Sequence, residues 1–267
     1  MFLLPRNQIP QTPEELAQAI EEGVRTFASR PQKMVTVRAG NASTLDSITV
    51  DLSGATIDHQ HRPPPLDREG AGPALLVRHI YIAGEPINLL GSGFSFQFEA
   101  LDVDMYQKPQ PDGNLLLILH RAQDGNVRFE ISRAAVETMI VSAASKLAEK
   151  QGVRIDKAQL ELTQHGPRAV DGKLTVSAHK LIFHPVLTLC GTVAVTEDFI
   201  ATVSNLKCHG EGPIASLACA AINPAFSRIE RRAFPLSGLP LGENQIRDLA
   251  LDATDDKLVV RGRFGSL

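Results

Sequence analysis

The run Phe94-Ser95-Phe96-Gln97-Phe98-Glu99-Ala100-Leu101-Asp102-Val103-Asp104-Met105 alternates apolar with polar side chains, the period of a strand with one wet face. Its phase changes partway, where Phe94, Phe96 and Phe98 give way to Leu101, Val103 and Met105. A slip of one residue inside a continuous strand is how a β-bulge reads in sequence, and bulges bend and coil a sheet. The same slip recurs where Val153 and Ile155 give way to Ala158, Leu160 and Leu162. Several such strands exceed the common length of about five or six residues. The expected sheet is therefore long-stranded and strongly curved.

Working outward, period-two patterns occupy residues 34 to 131, with Ile48-Val50-Leu52 alternating against Thr49 and Asp51. Asp112-Gly113 and Asp124-Gly125 are hairpin signals beside Leu115–His120 and Val127–Ile131, so sequence neighbours are expected to pair antiparallel. Arg62 to Pro73 holds four prolines and is expected to be an exposed loop, a long hairpin connection. A second set of strands is expected at Val153–Thr163, Lys173–Phe183, Leu187–Val195 and Phe199–Cys208, with turns at Asp171-Gly172 and Glu197-Asp198. In the cleanest, Leu187, Leu189, Val193 and Val195 should form one buried face. Two last strands, near Ile246–Asp252 and Lys257–Phe264, meet at Asp255-Asp256.

Helical periodicity appears in three places. Residues 13 to 28 carry Pro13 at the start, Glu14 and Glu15 in the first turn, and the stripe Leu16, Ile20, Val24, Phe27. Ser132 to Lys150 carries Val136, Met139, Ile140, Ala143 and Leu147 on one face, with Glu137, Lys146 and Glu149 off it. Gly212-Pro213 opens a short helix through Ile222 that Asn223-Pro224 should stop, with another turn or two from Ala225 to Arg232.

The chain has 267 residues, 43% of them hydrophobic, enough for a sizeable core, and its formal charge of -3 lacks the basic footprint of a nucleic-acid binder. With no Trp, two Tyr and eleven Phe, its aromatics suit an apolar interior better than a base-stacking surface. Met1 to Arg6 contains too few apolar residues before Pro5 for a signal segment or a span. A soluble cytoplasmic protein is expected, or a periplasmic one if a leader has been removed. Cys190, Cys208 and Cys219 are odd in number and lack CxxC spacing, which favours free buried thiols; were two bridged, Cys208 and Cys219 would be the pair.

No catalytic signature emerges. His59 and His61 supply two metal ligands at most, and His79, His120, His179 and His184 fall in or at the ends of strands. Gly91-Ser92-Gly93 leads into a strand and so lacks the helix dipole that binds phosphate. Asp102 and Asp104 alternate with apolar residues, as a solvated strand face does. Arg228, Arg231 and Arg232 form a small basic cluster beside Phe226 and Ile229, suited to a lipid phosphate or an anionic membrane surface. For a bound phospholipid the head group is expected at a groove mouth, at this cluster or at Arg133.

Leu45 to Gly54, Val127 to Leu147, Gly152-Val153-Arg154-Ile155, Asp171 to Val176 and the paired strands up to Leu206 together resemble the LmeA-type phospholipid-binding family of the tubular lipid-binding (TULIP) superfamily. The resemblance covers roughly residues 45 to 210 by element order. It implies an elongated coiled sheet around a helix, an apolar groove for acyl chains, and no cofactor.

The expectation is thus an α+β protein: a long, curved antiparallel sheet wrapped on amphipathic helices, with residues 1–30 as helix and lead-in and 31–267 as one domain. The helix from Ser132 to Lys150 should pack on the concave side. The expected function is noncatalytic binding of a lipid or other long apolar molecule, with Phe94, Phe96, Phe98, Val136, Met139, Ile140, Ala143, Leu181 and Phe183 lining the groove and Arg228, Arg231 and Arg232 near the head group. No metal or cofactor is expected, nor a nucleic-acid partner; a peripheral membrane contact is the secondary expectation. The alternative is a structural or protein-interaction module with a closed core, since a helix on a sheet needs no ligand.

Overall fold

Thr12 starts the first helix: its backbone is extended, and its hydroxyl accepts from the Glu15 N–H at 3.3 Å, capping α1 (Pro13–Val24). Leu16, Ile20 and Val24 are buried, so the predicted stripe faces the core. The structure, a computed structural model, describes residues 1–41, 44–60, 69–148, 153–179, 184–230, 232–236, 239 and 241–266. A short strand, β1 (Phe2–Leu4), precedes α1; β2 (Ala28–Ser29), β3 (Val35–Ala39), β4 (Thr44–Asp51) and β5 (Thr56–Ile57) follow it. Three strands of 18 residues come next, β6 (Gly72–Leu89), β7 (Ser92–Pro109) and β8 (Leu115–Ser132). After α2 (Arg133–Ala148) the order is β9 (Arg154–Gln164), β10 (Ala169–His179), β11 (Val186–Val195), β12 (Ile200–Glu211), α3 (Gly212–Glu230), β13 (Ala233–Pro235), β14 (Gln245–Ala253) and β15 (Lys257–Gly265).

These elements form two open, curved sheets that do not close into a barrel, an arrangement consistent with the α+β class. The larger sheet runs β14-β15-β8-β7-β6-β4-β3, with β1, β2 and β5 paired off that path. The smaller runs β13-β12-β11-β10-β9. The expected slip in the smaller sheet is present as a bulge, whereas in β7 the buried face changes without one: Leu101 is exposed, and the pairings with β6 and β8 keep their register across Asp102. Ala100 and Val103 are buried while Leu101 and Asp102 between them are exposed, and Asp102 takes a positive φ of 47°. In the smaller sheet Ser177 pairs with Lys157 and Ala178 with Ile155, which leaves Asp156 as the extra residue.

Several expectations are corrected. The sheet is mixed, since β4 and β5 pair parallel with β6, so the connection through Arg62–Pro73 is a crossover and not a hairpin; residues 61–68 lie outside the described residues. Asp124-Gly125 sits inside β8, where a side chain on Gly125 would overlap the ring of Phe264. Asp171-Gly172 likewise lies within β10, and the turn before it carries Gly166 at φ 82°. Pro224 does not stop α3: both Pro224 and Ala220, four residues earlier, are exposed, so the carbonyl that loses its partner is on the wet side. Val193 is 45% exposed, so the expected buried face of β11 is half-open. Cys208 and Cys219 are bridged, with Cα atoms 5.3 Å apart, because β12 and α3 bring them together; Cys190 stays free.

Each helix closes a sheet edge through a glutamate. Glu21 of α1 accepts from the N–H groups of Met34 and Val35 at 3.1 and 3.2 Å, at edge strand β3. Glu137 of α2 accepts from Leu160 N–H at 2.7 Å on edge strand β9, and Glu230 of α3 from Leu206 N–H at 2.7 Å on β12, past the Ile200, Ala201 and Thr202 positions that β13 covers. Bare edge N–H groups would otherwise recruit another strand. The free edge of β14 is closed by the smaller sheet. There the Gln164 amide imitates a strand, donating to Leu251 O at 2.6 Å and accepting from Ala253 N–H at 2.6 Å, while Leu251 N–H donates to Pro167 O at 2.7 Å. Val170 and Val195 pack there with Leu249 and Leu251.

Candidate functional site

Directly paired residues in a sheet point to the same side, so the register defines rows of neighbouring side chains. One row crosses five strands of the larger sheet as Ile82, Phe98, Val127, Gly262 and Leu249. The next reads Ile80, Ala100, Gly125, Phe264 and Ile246, and the one on the other side Gly84, Phe96, Phe129, Val260 and Leu251. This face is apolar throughout. Ala100 and Gly125 are small where the Phe264 ring must lie, and that ring stacks on Phe98 with centroids 5.4 Å apart.

Above these rows is a cavity of about 350 Å³. Its floor includes Ile82, Phe96, Phe98, Val127 and Leu249, and Phe2, Met105, Leu119, Leu239 and Leu241 lie on its walls. The sole polar residue among the described ones in its lining is Arg263. Alternation with Gly262 and Phe264 sends that guanidinium to the opposite face, where it is 3.6 Å from Asp124. The cavity therefore offers no side-chain hydrogen-bonding group among the described residues, and what it can do chemically is exclude water around an apolar molecule.

The charge sits on the other side of the same strands. There the corresponding row is Tyr81, Glu99, Asn126, Arg263 and Asp248. Asn126 donates to Glu99 at 3.0 Å and His79 is 2.9 Å from the same carboxylate. The Asn126 hydrogen bond, with help from His79 and against a smaller opposing effect of burial, holds the Glu99 carboxyl below its usual range. Glu130 is lowered by Lys257 at 2.7 Å and Arg128 at 2.8 Å. Among the described residues no three His, Cys, Asp or Glu side chains gather as metal ligands. Asp104 is paired with Arg121 at 3.5 Å.

The sequence-predicted groove is divided by the structure. Phe96 and Phe98 line the cavity; Phe94 shares their face but packs against Phe129, ring centroids 5.3 Å apart. Val136, Met139 and Ile140 are half-buried on α2, against β9, and are not in the cavity lining. Their helix is half-buried on nearly every side from Ala135 to Ser142, so it lacks the single buried stripe expected of it. The side chain of Ala143, together with Leu181, Phe183 and Arg231, lies outside the described residues. Arg228 and Arg232 are exposed at the end of α3, which packs on β12 and β11 and contributes none of its described residues to the cavity lining. Arg133 pairs instead with Glu137 at 3.8 Å.

Sequence reasoning missed Ile82, Val127, Gly262 and Leu249. Their alternation could be read strand by strand, but which of them are neighbours is a matter of register. Among the described residues no helix is long and apolar enough to cross a membrane. Comparison with protein-family models, with curated proteins and with solved structures finds no match to this chain.

Proposed function

We propose that the protein is a noncatalytic binder of one long apolar molecule, held in the cavity on the apolar face of the larger sheet. The observation that carries this reading is the half-buried row Ile82, Phe98 and Val127, apolar side chains that meet empty space where a closed core would meet other side chains. A volume of about 350 Å³ is at the lower end of ligand sites, which span roughly 300 to 1,000 Å³. That favours a ligand with a single acyl-length chain; a two-chain phospholipid would keep one chain outside. No side chain among the described residues of the lining can receive a polar head group, so the polar end of such a ligand stays in water. The resemblance to the LmeA-type TULIP family supports the same reading, as do the curved sheet and its bulges.

The test is to fill the space. Val127→Trp should abolish binding of a fluorescent fatty-acid probe while leaving the melting temperature unchanged or raised. If the region is instead a closed core serving a structural or protein-interaction module, the wild type will not bind the probe and the added ring will overpack the site, costing about 1–3 kcal/mol.

A further inference from the structure

A solvent-facing helix normally presents charge on its outer side, and α3 does not. Ala215 and Cys219 are buried and Ile222 and Phe226 half-buried, so this side faces the sheet, where the Cys208–Cys219 bridge fixes it. The outer side presents Pro213, Leu217, Ala220, Ala221 and Pro224, and there is no charged residue from Pro213 to Ser227. Leu217 is 73% exposed, the most open large apolar side chain among the described residues. Where charge returns, at the C-terminal end, it is basic on the outside: Arg228 and Arg232 are exposed, with Ile229 and Phe234 open beside them. The carboxylate that lies between the two arginines in sequence, Glu230, is engaged by Leu206 N–H at 2.7 Å.

We propose that the outer face of α3 docks on an anionic lipid bilayer, with Leu217 entering the boundary between head groups and acyl chains and Arg228 and Arg232 meeting lipid phosphates. An apolar stripe with arginines at its margin is the pattern of a helix that lies in a membrane interface. A protein interface of the same size would be expected to centre on an aromatic anchor; the aromatic of this helix, Phe226, is turned toward the sheet, and the exposed Phe234 lies past the helix at its basic end, away from Leu217 in the stripe. The surface is independent of the cavity, since no cavity-lining residue belongs to α3.

Sedimentation of the full chain with vesicles tests this, using phosphatidylcholine alone and mixed with phosphatidylglycerol. The wild type should pellet with the anionic vesicles. Leu217→Glu should lower that partition by about tenfold or more, the loss of one buried leucine's transfer energy. Arg228→Gln with Arg232→Gln should lower it by about tenfold at low salt and much less at high salt, where exposed charges are screened. Val127→Trp should pellet like the wild type, which keeps failure of the cavity reading distinct from failure of this one. Wild-type protein that stays in the supernatant with anionic vesicles overturns the proposal. So does a Leu217→Glu variant that pellets unchanged, or a dimer in sedimentation velocity that Leu217→Glu dissociates, which would give α3 to a second copy of the chain.

Discussion

A methyl group on Gly125 would occupy the space of the Phe264 ring, which lies across the strand from it in the paired row. Backbone freedom is not what requires glycine here; the close approach of an aromatic ring is. Gly125→Ala should therefore cost about 1–3 kcal/mol, the usual range for overpacking a core. Shortening the partner should relieve it: the double variant Gly125→Ala with Phe264→Leu is expected to be more stable than the sum of the two single changes, by denaturant unfolding. Additive effects would mean that the two residues do not share the site. The same contact explains a misreading, because Asp-Gly between apolar runs is a strong hairpin signal and the ring that demands the glycine is far away in sequence. Cys208 and Cys219 were named as the candidate pair, but sequence spacing alone favoured free thiols, and only the packing of α3 on β12 brings them together.

The helices were largely legible in sequence and their edge contacts were not. Pro13, the paired glutamates and the Leu16, Ile20, Val24 stripe located α1, whereas the partner of Glu21 is set by where β3 lies. Burial pushes the Glu21 carboxyl up, but hydrogen bonds from Arg25 and from the N–H groups of Val35 and Met34 outweigh it and leave the group below its usual value. A carboxyl with a lower folded than unfolded pKa adds stability above the unfolded value, about 4.3, and loses it as pH falls through the folded value. Glu21→Gln keeps the shape and loses the charge, so it should cost about 1–2 kcal/mol near neutral pH, the difference between a charged and a neutral acceptor. The deficit should shrink in acid as the wild-type carboxyl protonates. Thermal melts of both proteins from about pH 7 to pH 3 would show it, and an equal gap across that range would remove the edge-guard role of the charge. The bulge at Asp156 was visible as a phase change, whereas the change of face at Asp102 involves no shift of register; the parallel pairing of β4 with β6 left no trace, because a strand's own pattern does not report its neighbour's direction.

Across the whole molecule, alternation within a single strand was readable, and Phe96 and Phe98, which alternate within β7, both line the cavity. The cavity was not readable, since Ile82, Phe98, Val127, Gly262 and Leu249 come from five strands spread over the chain and become a row only when the register is known. That row is also what makes the account testable. If an apolar chain lies along it, each added methylene buries about 0.8 kcal/mol of surface, or roughly a fourfold gain in affinity, until the cavity is full. Equilibrium titration with a series of saturated fatty acids of increasing length, by displacement of a fluorescent probe, should therefore give a steep rise followed by a plateau, with no measurable binding to Val127→Trp. Affinity that is flat with chain length, or that Val127→Trp retains, would contradict the claim that this cavity holds a single-chain apolar ligand.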